Sequence, residues 1–278
     1  MQVRETLSTA IRYLTEHSVG SPRMNAEMLM MFVLNSDRAY LYAHPEYELT
    51  ADEQSRYEAA IAERATGKPA QYITGHQEFW GMDLIVSPAV LIPRPETEHV
   101  VETVLELAKL NQVPRIIDVG TGSGCIALAL AKELPWARVE AVDISPAALD
   151  IARANAARLQ LDHRLVIRNC DLLEGVPPEA YDFVVSNPPY VPEAEPEKAQ
   201  REVREFEPKV AVFAGESGLE VYRRVVPQAH EALKSGGWLV VEIGFSFANA
   251  VHELLHAWAE VRIMPDLQGI PRVVAARK

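Results

Sequence analysis

Hydrophobic positions change their period twice along this chain. Over the first seventy or so residues they recur at helical spacing: Val3, Leu7, Ile11 and Leu14 fall on one face, as in an amphipathic helix. Ser21-Pro22 reads as an N-cap followed by a proline at the first helical position, and Thr50-Ala-Asp-Glu53 as a capping box. Residues 1–75 are therefore expected to form a small helical domain. Between Gln77 and Ile92 the apolar runs become short and β-like, Glu78-Phe-Trp80 and Leu84-Ile-Val86 about Gly81, which predicts a β-hairpin linker over 76–93.

From Arg115 onward apolar strands alternate with helical segments, the pattern of an α/β domain with a doubly wound, mainly parallel sheet, here spanning 94–278. Seven strands are expected near 115–119, 138–142, 164–168, 181–186, 237–243, 260–264 and 272–277. Helices are expected near 95–110, 124–133, 146–160, 218–234 and 247–258. Several strands are continuous apolar runs, as they must be when both faces of a sheet are covered. The one compositionally biased stretch, the Glu/Pro-rich Pro192 to Pro208, reads equally as a solvated loop or a functional lid.

A chain of 278 residues is long enough for one large α/β domain and a small one. The formal net charge of −12 argues against gripping nucleic acid, which needs clustered Lys and Arg for its phosphates. An acidic face suits a basic protein partner instead. Two cysteines, Cys125 and Cys170, make a disulfide framework improbable and fit a reducing cytoplasm. No signal-peptide pattern opens the chain, and the apolar stretch Met28 to Leu34 is too short to span a bilayer, so no membrane partner is expected.

Chemistry concentrates at three predicted strand ends. "IIDVGTGSGCIALALA", Ile116 to Ala131, joins a strand to a helix through Gly120, Gly122 and Gly124, which lets a ligand approach the backbone closely. The dinucleotide fingerprint wants its third glycine where Cys125 stands, so the loop is a poor pyrophosphate cradle. Asp143 ends the next strand, where a carboxylate can accept from both ribose hydroxyls of a nucleoside. "SNPPYV", Ser186 to Val191, stops a later strand with Pro188 and Pro189, which hold Asn187 extended and aim its side chain. All three lie at carboxyl ends of strands, where open α/β sheets bind ligands.

"DVGTGSG" resembles motif I of class I S-adenosylmethionine-dependent methyltransferases, and "NPPY" resembles the catalytic tetrapeptide of those that methylate amide or exocyclic amino nitrogens. "EFWGMDLIVSPAVLIPRPETE", "EPKVAVFAGESGLEVYRRVV" and "DLQGIPRVV" resemble the HemK/PrmC family of release factor glutamine-N5 methyltransferases, and the likeness runs over essentially the whole chain. It implies S-adenosyl-L-methionine as cofactor, held by Gly120, Thr121, Gly122, Ser123, Gly124, Asp143, Asp171, Leu172 and Asn187. Leu172 stands where the family often carries an aromatic, so an aliphatic side chain would cover the adenine ring. It implies Asn187, Pro188 and Tyr190 as catalytic, Pro189 joining them at the substrate, and class 1 peptide chain release factors as partner, recognised in part by the helical domain. A glutamine amide is a poor nucleophile because its lone pair is delocalised. Asn187 Oδ1 and the Pro188 carbonyl would each accept one N–H, while Tyr190 stacks on the amide plane.

Other readings stand beside this one. The same chemistry could serve a ribosomal protein glutamine or an adenine-N6 position in DNA, the latter disfavoured by the charge. A non-catalytic nucleoside-binding module is the reading from a different class, and the intact "NPPY" counts against it. "HELLH", His252 to His256, matches a zinc-protease pattern but reads equally as a helix packed on the sheet, and no metal is expected. Cys125 near a helix N-terminus is either an activated thiol or a small packed residue. Arg94, Glu96 and Glu98 either order the substrate cleft or simply start a helix.

Overall fold

The computed structural model describes residues 1–108 and 113–278. These form two compact units: Met1–His76 with Arg201–Phe206, and Gln77–Gln200 with Glu207–Lys278.

The smaller unit is helical, with helices Val3–Glu16, Pro22–Leu34, Arg38–Ala43, Ala51–Ala65 and Ala70–Thr74. The apolar stripe of the first helix is buried at Val3, Ala10 and Leu14, against Leu29, Met30, Tyr57 and Ile61. Glu53 N donates to Thr50 Oγ1 at 3.2 Å and Thr50 N to Glu53 Oε2 at 2.8 Å, so the capping box forms as expected. Ser21 does not cap: it takes a left-handed φ of 47° with no side-chain bond to the helix, and Asn25 Nδ2 instead donates to the Gly20 and Ser21 carbonyls. Pro22 still starts the helix, since its missing N–H is one the first turn leaves unpaired anyway. Arg64 is 2 % exposed and is held by Asn25 Oδ1 at 2.7 Å, the Lys68 carbonyl at 3.2 Å and the Glu202 carboxylate. The Glu/Pro-rich stretch is thus not a plain solvated loop: it contains the helix Arg201–Phe206, which supplies the partner of a buried charge.

The larger unit carries a two-stranded hairpin, β1 (His76–Phe79) and β2 (Met82–Ile85), and a seven-stranded sheet. The sheet comprises β3 (Arg115–Val119), β4 (Arg138–Asp143), β5 (Leu165–Asn169), β6 (Tyr181–Ser186), β7 (Leu233–Glu242), β8 (Glu260–Pro265) and β9 (Pro271–Arg277). Its order is β5-β4-β3-β6-β7-β9-β8, parallel except that β9 runs against both neighbours. The chain steps outward from β3 through β4 to β5, then returns to the other side of β3 with β6. Ligands bind beyond the strand ends at such a switch point. The hairpin buries Phe79, Met82 and Leu84 in the same core as Ile126, Leu130 and Val139. Asn155, fully buried, accepts from Ile85 N at 2.7 Å and donates to the Ile85 and Ser123 carbonyls at 3.0 and 2.9 Å, tying the hairpin to the glycine loop.

Four expected elements change their bounds most. β7 begins at Leu233, not 237, and the expected helix 218–234 ends correspondingly at Ala232. Its partners jump from Tyr181↔Leu233 to Phe183↔Trp238, so Ser235-Gly236-Gly237 is a bulge within the strand. The helix expected over 247–258 is only Ala248–Leu254. The helix expected from 95 opens as a 3-10 turn, Pro95–Thr97, and continues as Glu98–Leu107; positions 109 and 110 lie outside the described residues. No helix among the described residues is long and apolar enough to cross a membrane.

Candidate active site

The turn after β3 is built from two kinds of glycine. Gly122 has a φ of 56°, and a Cβ there would meet nothing within 4 Å, so the backbone faces open space. Gly124, with a φ of 84°, caps the helix Cys125–Glu133; a Cβ there would come 3.2 Å from Leu128 Cδ1 and 3.4 Å from Ala152 Cβ. One leaves room for a ligand and the other lets helix and loop pack. Asp118 Oδ2 braces the turn, accepting from Thr121 Oγ1 at 2.6 Å and Ala127 N at 3.2 Å. Its Oδ1 and the Ser123 hydroxyl are buried without a hydrogen-bond partner among the described residues. Burial pushes the Asp118 carboxyl up to about 7.

Asp143, at the end of β4, accepts from Gly122 N at 2.9 Å through Oδ2 and from Ser145 N at 2.8 Å through Oδ1. Burial raises its pKa above the ordinary carboxylate range, and those backbone donors work against the rise. Each oxygen keeps lone-pair capacity for another donor. Residues 120–123, Asp143, Asp171, Leu172 and Asn187 all line one cleft, joined by Pro189. Asp171 is paired with Arg224 at 2.7 Å, and Leu172 takes a left-handed φ of 51°. Gly124, expected in the wall, lies outside it because it is packed on Leu128 and Ala152. Unpaired buried polar atoms, bare backbone at Gly122 and a carboxylate with spare acceptors fit a nucleoside with its ribose.

Asn187 leaves the end of β6 with its side-chain nitrogen donating to Thr97 Oγ1 at 3.0 Å. Thr97 Oγ1 donates at 2.6 Å to Glu242 Oε2, and Tyr190 Oη donates at 3.4 Å to Glu242 Oε1. Pro188 is buried, and Pro188 and Tyr190 stand outside the wall of this cleft. A Cβ on Gly244 would come 3.0 Å from Tyr190 Cδ2, so the ring is packed against the backbone after β7. Burial and the nearby Glu242 raise the Tyr190 pKa, keeping its phenol protonated.

Three buried residues here were missed by sequence reasoning: Asp118, Thr97 and Glu242. Asp118 opens the quoted "DVGTGSG", Thr97 sits inside "RPETE" between acids that drew attention instead, and Glu242 ends the apolar run of β7. A lone acid closing an apolar strand was the available signal.

The remaining candidates resolve structurally. Cys125 is buried and its thiol is pushed up to about 12, chiefly by burial, so it is not activated. The helix ends at Leu254, so His252 and His256 do not share one helical face, and His256 Nδ1 lies 3.1 Å from the Glu253 carbonyl. Among the described residues no group of His, Cys, Asp or Glu is arranged to hold a metal ion. Arg94 pairs with buried Glu207, Glu98 accepts from Trp80 N at 2.7 Å, and Glu96 lies 4.0 Å from Arg272.

Comparison with known proteins speaks to the family and the fold. Residues 5–75 match the family model described as the PrmC N-terminal domain, and 99–205 the methyltransferase small domain. The chain is 56% identical over 279 residues to the release factor glutamine methyltransferase of Koribacter versatilis, covering 100% of this chain and 99% of that one. It is 41% identical over 277 residues to the enzyme of that name from Geobacter sulfurreducens, covering 99% and 96%. Among solved structures, the hMettl16 catalytic domain in complex with MAT2A 3'UTR hairpin 1 superposes with a TM-score of 0.58 at 17% identity, covering 85% of this chain and 84% of that one. That likeness shows the class I methyltransferase fold.

Proposed function

The chain belongs to the release factor glutamine methyltransferase family, and from that premise we propose that it transfers a methyl group from S-adenosyl-L-methionine to the side-chain amide nitrogen of the glutamine in the Gly-Gly-Gln loop of class 1 release factors. The observation that carries this is the anchoring of Asn187: its nitrogen is committed to Thr97, which leaves its carbonyl oxygen as an acceptor at the nucleoside cleft. An amide substrate needs such an acceptor, because its own N–H groups must be held while its nitrogen attacks.

Gly120, Thr121, Gly122, Ser123, Asp143, Asp171 and Leu172 line the cleft and would hold the cofactor, Asp143 offering acceptors to the ribose hydroxyls and Leu172 an apolar cover for the adenine. Gly124 shapes the loop beneath it. The cofactor supplies an electrophilic methyl group. Asn187 Oδ1 and the Pro188 carbonyl would each accept one N–H of the glutamine amide, orienting its lone pair for attack, and Tyr190 would lie against the amide plane. The prolines fix the spacing of the two acceptors, so little reorganisation is needed during transfer. The proton lost from the methylated nitrogen passes to solvent, its acidity sufficient without a dedicated base. The helical residues 1–75 and the acidic stretch from Glu193 to Glu207 contact the release factor outside its reactive loop, so remote binding energy positions the glutamine.

A radiolabel transfer assay offering release factor, a glutamine-bearing ribosomal protein and DNA in turn tests the reading. Label on the release factor glutamine is expected; label on either competitor alone, or none at all, refutes it.

A further inference from the structure

Behind the "NPPY" loop lies a short chain of hydrogen bonds with a fixed direction. Glu242 and Thr97 are 3 % and 2 % exposed. A hydroxyl has one proton to give. Thr97 gives its proton to Glu242 Oε2 at 2.6 Å, so toward Asn187 it can only accept, at 3.0 Å from Nδ2. The two ends of an asparagine amide are nearly identical in shape and opposite in chemistry. Nothing steric would stop the amide from turning over and presenting its NH2 to the substrate, whose own N–H groups would then face donors. The hydroxyl whose proton is already spent is what tells the two orientations apart.

Resting on the function proposed above, we infer that Thr97 and Glu242 are positioning residues, which act through the Asn187 amide to keep its carbonyl oxygen turned toward the substrate. Thr97 lines the same cleft as Asn187, and Glu242 lies behind it, outside that lining. Ionised Glu242 accepts from Thr97, Thr97 accepts from Asn187, and the acceptor faces outward. Protonated at Oε2, Glu242 would donate to Thr97 instead; the Thr97 proton would then turn to Asn187, bond its carbonyl oxygen and invert the amide.

The groups facing Glu242 set where that change falls. Burial acts most strongly, Glu96 adds to it, and the hydrogen bonds from Thr97 and Tyr190 and the charge of Arg272 oppose it, leaving the carboxyl at about 7. Tyr222 Oη donates to the Glu242 backbone carbonyl at 2.8 Å, Arg94 acts on neighbouring Tyr190, and the neutral thiol of Cys125 also lies nearby. The orienting chain therefore works above neutrality and fails below it.

The test uses the full-length enzyme with intact release factor. Thr97→Val keeps the side-chain shape and removes both halves of the relay; kcat should fall about tenfold or more, the scale set by a slightly misplaced reacting group. Tm should fall, because Thr97→Val leaves the buried Glu242 carboxylate without its Thr97 donor, whereas the KM for release factor should stay near wild type, and Thr97→Ser should recover most of the lost turnover. Wild-type kcat should decline as pH drops through about 7, and Glu242→Gln, with an amide that can donate to Thr97, should be slow throughout and lack that limb. Unchanged turnover in Thr97→Val, no recovery in Thr97→Ser, or a pH limb that persists in Glu242→Gln overturns the inference and leaves the proposed function standing. A wild-type enzyme that methylates no release factor overturns the function, and this inference with it.

Discussion

Asn187 carries the sharpest test of the chemistry because its part in turnover separates from cofactor binding. Asn187→Ala removes one acceptor for the glutamine amide and should lower kcat about 10²–10³-fold, by analogy with losing one oxyanion-hole donor. Asn187→Asp keeps an acceptor but adds a charge near the cationic cofactor; affinity should hold or improve while turnover drops, since that attraction fades as the methyl leaves. Wild-type rates in both folded variants would remove Asn187 from the reaction. Asp143→Ala should weaken cofactor binding by roughly 1.5–3 kcal/mol, the worth of hydrogen bonds to a charged group, as read by calorimetry. Asp118 makes a different prediction. Its folded carboxyl sits near 7 against an ordinary 3.8, so the native state holds a proton the unfolded chain has lost, and stability falls as pH rises between those values. Cofactor-free Asp118→Asn should thus gain in Tm over wild type at pH above about 7, with the gain shrinking toward pH about 4. A gain independent of pH would show that Asp118 does not titrate in this window. Asp143 and Asn187 were legible because each follows a recognisable strand end. Asp118, Thr97 and Glu242 were not, because what makes them matter is burial against segments distant in sequence, which no local spacing reveals.

The glycine loop shows how much of an element's design a sequence carries. Its three glycines announced a tight turn, yet the division of labour among them depends on neighbours: Gly124 faces Leu128 and Ala152, whereas Gly122 faces open space. Gly124→Ala therefore adds steric contact at 3.2 Å to the strain of a left-handed φ. It should destabilise the protein by about 1–2 kcal/mol, the left-handed cost for a residue with a Cβ, measured by denaturant unfolding. Gly122→Ala meets only the backbone strain and should cost less stability but more cofactor affinity. Equal losses of stability would contradict the packing role of Gly124. Strand and helix periods were legible wherever both faces were covered. They failed where a local irregularity imitated a break: the strand was expected only from 237, but it starts at Leu233, with Ser235-Gly236-Gly237 a bulge inside β7. Past Leu254 the apolar pattern continued but the helix did not, since Leu255 leaves helical geometry with a ψ of 13°.

At the scale of the whole molecule, the chain assigns its residues to two units in an order that sequence alone did not suggest. Arg201–Phe206 belongs with Met1–His76 although more than a hundred residues of the other unit intervene. The reason is electrostatic as well as apolar: Arg64 is buried and Glu202 is its ion-pair partner, while a Cβ on Gly67 would lie 3.3 Å from the Phe206 ring. A hydrophobic pattern reports faces that turn inward but not which buried charge needs a partner from another stretch of chain. A protein beginning at Gln77 should accordingly retain cofactor affinity, because every residue lining the cleft of Asp143 and Asn187 lies at or beyond Ala89 and outside Arg201–Phe206. It should methylate a short Gly-Gly-Gln peptide at a rate close to that of the full chain. With intact release factor its kcat/KM should fall by at least about tenfold, the consequence of losing binding energy from surface remote from the reacting glutamine. Equal kcat/KM of the shortened and full-length proteins on intact release factor would mean that the helical unit takes no part in recognition.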